Sequence, residues 1–592
     1  MPQYIAPTED MKFILHDWLK ITEHYAELGF QDAADKELVN AIIEESAKFS
    51  SEVLSPINHS GDQQGCQIES GVVTTPDGFQ DAYNQYCEAG WAALAASPQY
   101  GGQGLPYSLS VVTSEMVSTA NTSWSMYPGL THGAVSALKH HANDELKQAY
   151  LPKLVSGEWT GTMCLTEPHC GSDLGLLKTR AVEQDDGSFL ISGSKIFISA
   201  GEHDLSDNII HLVLARLQDA PEGTAGISLF LVPKILDQAH IGKGAPTDNQ
   251  VTCSAIEHKM GIKASATCVI NFEDSKGFLI GEPNQGLKCM FTMMNKARLA
   301  TGVQGYAIAE LSRQASLEYA HNRLQMRSLS GVKAPQKAAD PIIVHPDVKR
   351  MLFTQKAFIE GCRGLAYYIA KLVDTCESDA DDSGQHSLLL DLLTPICKAF
   401  MSEVGFESTN HAVQVLGGHG YISEWELEQQ VRDARITMIY EGTNGIQSLD
   451  FLGRKILRDQ GKALTVWLET IARESSQLDD AFKPFVDRLT TLCEEWSKLT
   501  QHIAMQARKD MDEVGAAAFD FLMYSGYITV AHILLQQANA AQNSNQSDAF
   551  KLMKMQTLDF YFARILPRVT THKALIESGC DNLNCCEFEL TE

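Results

Sequence analysis

The sequence lacks the features that mark secreted, membrane-spanning and zinc-binding proteins. Its first ten residues hold neither a basic cluster nor an apolar run, so we expect no secretory signal. Its 14 cysteines include no Cys-x-x-Cys pair, and the cluster of Cys580, Cys585 and Cys586 has no histidine at a usual zinc-ligand spacing. We therefore expect no metal site, and free thiols in an acidic protein indicate a reducing cytoplasm.

Basic charge is also scarce, because the 592 residues carry a formal net charge of −27. Such a surface repels a phosphate backbone, which disfavours nucleic-acid binding. Acidic residues also outnumber basic ones within residues 456–592, which argues against docking of that segment on nucleic acid or anionic membrane.

Long hydrophobic runs are missing too. The most apolar stretch spans residues 516–535, and four polar residues recur along it at helical spacing: Asp520, Ser525, Thr529 and His532. This pattern is typical of a helix with a polar stripe, so we predict no membrane span.

The hydrophobic periodicity divides the chain into four parts, as expected for a length that exceeds one core. Apolar spacing is helical over 1–160, whereas short β-branched runs alternate with turns over 161–282. We predict an α+β protein with an N-terminal helical domain (1–160) and a middle antiparallel β-barrel or sandwich (161–282). A C-terminal helical bundle (283–455) and an additional helical domain (456–592) follow.

One carboxylate stands in a context that suits proton transfer. Glu441 follows Ile436, Met438, Ile439 and Tyr440 and precedes a Gly-Thr-Asn-Gly turn. Neighbours that exclude water raise the pKa of a carboxyl group toward values useful to a general base. From this segment alone, a buried or capping glutamate without chemistry is the alternative.

Four separated segments agree with one another. They are 163–173, 193–201, 414–436 and 440–443. In this order and spacing they resemble the acyl-CoA dehydrogenase flavoproteins over roughly residues 35–455. The resemblance implies bound FAD and removal of hydrogen from the α and β carbons of an acyl-CoA thioester. Glu441 would take the α proton, flavin N5 would accept the hydride, and donors to the thioester carbonyl would form an oxyanion hole.

The resemblance also implies the flavin contacts. Within one subunit they are Leu165, Thr166, Gly171, Ser172, Phe197, Ser199 and Thr443. Phe197 stands where the family usually has tryptophan, with an ordinary core aromatic as the alternative. From a neighbouring subunit the contacts are Arg323, Gln414, Gly417 and Gly418, which implies a homodimer or a higher homo-oligomer. An ordinary surface charge is the alternative for Arg323.

Substrate contacts implied in the same way are Ser172, Asn295, Arg298, Tyr440 and Gly442. Some branches of the family carry the catalytic glutamate at the position of Ala297, and alanine cannot serve, which leaves Glu441. The resemblance implies an electron-transfer flavoprotein as acceptor. An oxidase, or a catalytically silent flavoprotein scaffold, is the alternative, although Glu441 argues against silence.

Residues 456–592 match an extension that only longer family members carry. Three features resemble the branch that acts on 3-(methylthio)propionyl-CoA in dimethylsulfoniopropionate degradation: Tyr4-x-Ala6-Pro7, residues 195–204 and residues 323–329. We therefore expect that substrate, with a short- to long-chain fatty acyl-CoA as the alternative.

Overall fold

The computed structural model describes residues 4–30, 33–236, 246–378 and 384–585. The chain divides into two compact units, each built from separated stretches. The first unit comprises Met1–Ala47, Val111–Thr119 and Thr301–Glu592, and the second comprises Lys48–Ser110 and Ala120–Ala300. The four predicted domain boundaries stay predictions.

The first unit is helical wherever it is regular. Its described helices, two of which are π-helical turns (marked π), are Thr8–Lys12, Phe13–Trp18 (π), Ile21–Glu27, Pro346–Glu377, Gln385–Leu416, Leu427–Arg435, Asn444–Leu449, Asp450–Arg458 (π), Lys462–Ser475, Lys483–Gln506, Asp512–Gln542, Asp548–Phe560, Val569–Glu577 and Asp581–Asn584. A further π-helical turn is Tyr561–Ile565, and Lys36–Phe49, Tyr107–Ala120 and Gly286–Asn322 contribute residues to both units. The helical character predicted for residues beyond 455 is therefore confirmed.

The apolar stretch 516–535 lies in helix Asp512–Gln542. Among the described residues this is the one helix long and apolar enough to cross a membrane, yet 89% of its most apolar window is buried inside the protein. Its polar stripe faces protein partners: the Trp467 indole donates to Thr529 Oγ1 at 3.3 Å, and His532 Nε2 lies 2.9 Å from Glu474 Oε2. The predicted helix with a polar stripe is thus the core helix of the first unit.

The second unit combines helices with a β-sheet. Its helices include Ser50–Leu54, Asn58–Gln64, Phe79–Glu88, Thr122–His141 and Asp144–Ser156. Its strands are β1 Gln67–Glu69, β2 Val72–Thr74, β3 Trp159–Cys164, β4 Arg180–Glu183, β5 Phe189–Ser199, β6 Asn208–Leu217, β7 Ile227–Pro233, β8 Ile235–Leu236, β9 Thr247–Asp248, β10 Val251–Ile256 and β11 Thr267–Ile280. The predicted middle β region is confirmed.

Seven strands form the main sheet in the order β10-β11-β5-β4-β6-β3, and β7 pairs with both β11 and β6. The pairings β11–β5–β4–β6–β7–β11 close a ring, which leaves these strands no free edge. The expectation of purely antiparallel pairing is corrected at two places, since β3 and β4 both run parallel to β6. A parallel return requires a long connection, and the segment holding β4 and β5 supplies it between β3 and β6.

The core of the second unit lies between this sheet and its helices. β6 is buried over its first eight residues and β7 over its whole length, so burial does not alternate along either strand and both are largely apolar. Leu212, Leu214 and Leu229 pack there with Ala134 and Leu154 of two helices. This packing fixes β3, and with it the loop that follows Cys164.

Candidate active site

The loop after β3 is tied to β5 by a buried ion pair. Lys195, fully buried on β5, donates from Nζ to Glu167 Oε1 at 2.8 Å and to the Leu165 carbonyl oxygen at 3.0 Å. The Ile196 N–H also donates to the Thr166 carbonyl oxygen at 2.9 Å. The first two of the four sequence segments are therefore joined in the fold.

The Glu167 carboxylate organises this loop. It accepts hydrogen bonds from the Lys178 N–H, from the Thr179 N–H and hydroxyl, and from Lys195. Burial alone raises the pKa of Glu167, but the Lys195 charge and these hydrogen bonds outweigh it and lower the pKa to about 2. The carboxylate is thus ionised at neutral pH.

One described group of side chains lies close enough to hold a metal ion, namely Glu167, His169 and Cys170. Both Glu167 oxygens already accept hydrogen bonds, and His169 Nε2 lies 2.9 Å from the Leu176 carbonyl oxygen. Because the Glu167 oxygens and His169 Nε2 are already engaged in closing the loop, we assign no metal to this group.

Phe197 lies at an irregularity of β5. The partner register moves from Ile270↔Lys195 to Cys268↔Ile198, so Ile196 and Phe197 together oppose one residue of β11. Phe197 has φ +58° and its side chain is 59% exposed. A bulky residue in this left-handed region is strained by about 1–2 kcal/mol, and the bulge turns the ring out of the core. An ordinary core aromatic is therefore excluded.

The other flavin and substrate residues predicted in the second unit differ in exposure. Leu165, Thr166 and Ser199 are half-buried, and Gly171 and Ser172 lie on the exposed part of the loop. On helix Gly286–Asn322, Asn295 is exposed, whereas Arg298 is buried with its guanidinium 5.8 Å from the Phe291 ring. The bulge and the loop bring the predicted flavin residues onto neighbouring backbone segments.

In the first unit, Glu441 sits at a sharp left-handed turn. Glu441 has φ +56° and Gly442 has φ +81°, and Glu441 is half-buried. A Cβ on Gly442 would lie 2.6 Å from Gln447 Nε2, the atom that donates to the Glu441 carbonyl oxygen at 3.1 Å. Glycine at 442 is therefore required by both the backbone angle and the space.

The turn is anchored on both sides. Upstream, the Tyr440 hydroxyl donates to Gln304 Oε1 on helix Gly286–Asn322, within the first unit. Burial, together with the Glu441 charge, raises the pKa of Tyr440, so the hydroxyl keeps its proton. Downstream, Thr443 caps helix Asn444–Leu449 by accepting from the Ile446 N–H at 3.2 Å. These anchors hold the strained Glu441 backbone in place.

The residues predicted to reach a neighbouring subunit's flavin are all exposed. Gln414 and Gly417 lie at the end of helix Gln385–Leu416, where Gly417 has φ +59°. A Cβ on Gly417 or Gly418 would meet nothing within 4 Å. Arg323 is exposed, whereas Arg327 holds its own loop by donating to the Ala334 carbonyl oxygen at 2.9 Å.

Sequence reasoning missed the residues that hold these segments in place: Glu167, Lys195, Gln304, Lys398 and Asn444. A signal existed for Lys195, because a lysine in an apolar strand needs a carboxylate partner when it faces the core. No comparable signal marked Lys398 or Asn444, whose contact joins residues 46 positions apart.

Four family models match successive parts of the chain. They are the acyl-CoA dehydrogenase N-terminal domain (37–158), middle domain (162–275) and C-terminal domain (284–457), and the acetyl-CoA dehydrogenase C-terminal-like model (467–585). The chain belongs to the acyl-CoA dehydrogenase family of oxidoreductases.

Several individual proteins are similar to this chain. A 3-methylmercaptopropionyl-CoA dehydrogenase of Ruegeria pomeroyi is 39% identical over 98% of this chain and 99% of its own length. A butyryl-CoA dehydrogenase of Syntrophomonas wolfei is 34% identical over 89% of this chain and 94% of its own. An acyl-CoA dehydrogenase of Bacillus anthracis, solved in complex with FAD, shares the fold with a TM-score of 0.74 at 21% identity. That alignment covers 92% of this chain and 88% of the solved one.

Proposed function

We propose that this protein is an FAD-dependent dehydrogenase of an acyl-CoA thioester, with Glu441 as the base that removes the α proton. The observation that carries the proposal is the turn at 440–443. It places a half-buried carboxylate on a strained backbone that is anchored both upstream and downstream. Backbone strain of this kind clusters at functional sites and persists only where the surrounding contacts hold it in place.

The residues of the second unit fit a flavin. An exposed aromatic ring on a bulge offers an apolar face, and the loop holding Gly171 and Ser172 leaves backbone donors accessible. Leu165, Thr166, Phe197 and Ser199 would contact the ring system. Bound there, FAD supplies a two-electron acceptor for the β hydrogen as hydride.

Removal of the α proton is carried out by a residue of the protein. A Glu441 carboxylate oxygen forms a bond to the α hydrogen as the α C–H bond breaks, and the electron pair moves toward the thioester carbonyl. Exclusion of water by the bound ester strengthens every dipole aimed at that carbonyl. Loss of the β hydrogen then completes the α,β double bond of a 2-enoyl-CoA. Tyr440 and Gly442 flank the base and would border the thioester.

For the acyl group, we propose 3-(methylthio)propionyl-CoA, converted to 3-(methylthio)acryloyl-CoA. Support comes from the Ruegeria pomeroyi relative, which is named for this thioester and aligns along nearly the whole chain. Another relative, at 34% identity, is a butyryl-CoA dehydrogenase. A short fatty acyl-CoA is therefore the alternative substrate to test against 3-(methylthio)propionyl-CoA. Dimethylsulfoniopropionate degradation in the cytoplasm is the corresponding cellular role.

The proposed partners follow from the same site. Arg323, Gln414, Gly417 and Gly418 form an exposed surface, and Tyr421 beside them is 86% exposed, so we propose that a second copy of the chain covers them. A homodimer, or a higher homo-oligomer, would share its flavins across this surface. Electron-transfer flavoprotein is the proposed acceptor.

Anaerobic titration of the purified protein tests the substrate. The flavin spectrum is followed while 3-(methylthio)propionyl-CoA, butyryl-CoA, octanoyl-CoA or palmitoyl-CoA is added. We expect bleaching by the first at the lowest concentration. Preferential bleaching by another thioester would overturn the proposed acyl group, and bound flavin that none of them bleaches would overturn the proposed dehydrogenation of these thioesters.

A further inference from the structure

Asn444 joins the turn of Glu441 to a long helix. Asn444 lies three residues after Glu441, begins the helix Asn444–Leu449 and is buried. Its Oδ1 accepts from Lys398 Nζ at 2.8 Å, and its Nδ2 donates to Glu403 Oε1 at 2.8 Å and to Ser402 Oγ at 3.0 Å. All three partners lie on helix Gln385–Leu416, so a single side chain fixes the short helix to the long one.

The lysine determines which way the amide points. Lys398 is fully buried and its ammonium group can only donate, so the amide oxygen of Asn444 must face it. The amide nitrogen then faces Glu403, whose pKa is raised by burial and lowered in part by this hydrogen bond. Reversing the amide would set two donors against each other at Lys398 and two acceptors against each other at Glu403. The orientation of Asn444 is therefore unique.

The turn needs this support. The helical segment that begins at Asn444 continues directly into the π-helical turn Asp450–Arg458, so its first turn is the part that the Asn444 side chain ties to helix Gln385–Leu416. The Glu441 backbone would also relax if released, because φ +56° lies in the left-handed region that residues other than glycine rarely adopt. Tyr440 holds the turn on one side only. On the other side, the buried contacts of Asn444 oppose that relaxation.

We propose that Asn444 is a positioning residue for Glu441 and that Lys398 is the group that orients it. This inference rests on the proposed role of Glu441 as base. Neither residue touches the reacting atoms. Each acts by keeping the Glu441 carboxylate at one place relative to the α carbon, and a displacement of about 1 Å is enough to slow a positioned reaction by up to about a hundredfold.

The test isolates proton removal from the rest of the reaction. An acyl-CoA with sulfur in place of the β carbon has α hydrogens but no β hydrogen, so it can exchange its α hydrogens but cannot be dehydrogenated. Exchange into D2O in the presence of FAD-loaded protein is followed by NMR, with binding of the ester and thermal unfolding measured on the same samples. Binding and unfolding separate a positioning effect from loss of the fold.

Asn444→Ala is expected to slow exchange by about tenfold to a hundredfold with little change in ester affinity. Ser448→Ala is the matched control, because Ser448 is buried in the same short helix but donates to the Asn444 carbonyl oxygen of that helix at 2.7 Å. It should leave the exchange rate unchanged. Equal rates for Asn444→Ala and the natural protein, both folded, would overturn the proposal.

A rescue pair keeps the test informative if the alanine variant does not fold. Asn444→Asp preserves volume and the contact with Lys398 but sets a carboxylate against Glu403, so exchange should slow. Adding Glu403→Gln supplies a donor to the new carboxylate, and the rate should recover. Failure of the double variant to recover would contradict the proposal. Absence of exchange in the natural protein would instead overturn the proposed base chemistry.

Discussion

Lys195 Nζ and Glu167 Oε1 lie 2.8 Å apart in the interior of the second unit, with 0% and 3% of their side chains exposed. This pair connects the strand that carries Phe197 to the loop that carries Leu165 and Thr166. A buried pair of this kind adds little net stability, but removing one member leaves an uncompensated charge in the core. The ion pair therefore joins the two parts of the predicted flavin surface, together with the backbone hydrogen bond from Ile196 to Thr166.

Replacing Lys195 tests the contribution of this pair. Lys195→Met removes the cation and leaves the Glu167 carboxylate buried, so we expect a loss of about 3–5 kcal/mol in the free energy of unfolding and weaker FAD binding. Chemical denaturation and flavin fluorescence measure the two effects. A double variant, Lys195→Met with Glu167→Gln, removes the stranded charge and should recover much of the stability. A single variant as stable as the natural protein would contradict the role of the pair.

The same carboxylate gives a pH dependence. The pKa of Glu167 is about 2 in the fold, below its ordinary value in an unfolded chain. Its ionisation therefore contributes stability above about pH 4.5, and this contribution is lost as the pH falls toward 2, by about 2–3 kcal/mol. Denaturation is measured at several pH values between 6 and 3. As the pH is lowered over this range, the free energy of unfolding should fall less steeply for Glu167→Gln than for the natural protein. Equal slopes would show that the group does not titrate as stated.

Replacing Phe197 tests whether its ring serves as a contact surface for the flavin or as a core residue. Phe197→Gly relieves the left-handed backbone of a side chain that is 59% exposed, so the FAD-free protein should be as stable or slightly more stable. FAD affinity should fall, because the ring is the proposed face for the flavin. Thermal unfolding without FAD and flavin titration measure the two properties. A loss of about 3–5 kcal/mol without FAD would indicate a core residue instead.

Gly442 and Gly445 provide a matched pair at the base. Gly442→Ala adds a Cβ at φ +81° and 2.6 Å from Gln447 Nε2, so turnover should fall at least about tenfold. Gly445→Ala places its Cβ no closer than 3.8 Å to Thr443 Oγ1 and should be nearly neutral. Steady-state kinetics on both variants checks the contrast. Equal activity would mean that the turn tolerates displacement.

The sequence predicted the helical and β regions because their hydrophobic periods differ over long stretches. It did not predict the β1–β2 hairpin, whose strands are three residues each and whose turn depends on left-handed Ser70 and Gly71. Segments of that length carry too few side chains to show a period.

The residues of the candidate site also divide into those that the sequence could predict and those that it could not. Glu441 was recognisable because its neighbours along the chain form a motif. The exposure of Phe197 could not be predicted, because it depends on a one-residue shift in the pairing between β5 and β11. The contacts of Gln304 with Tyr440 and of Lys398 with Asn444 could not be predicted from the sequence either. The partners lie 136 and 46 positions apart, and only tertiary packing brings them together.

The most direct test of the account is the turnover of Glu441→Gln. The amide keeps the shape of the side chain but cannot accept the α proton as a base. We predict that the variant binds FAD and remains yellow, yet loses nearly all dehydrogenation of 3-(methylthio)propionyl-CoA under anaerobic single-turnover conditions. Substantial residual bleaching of the flavin by that thioester would contradict the assignment of Glu441 as the base.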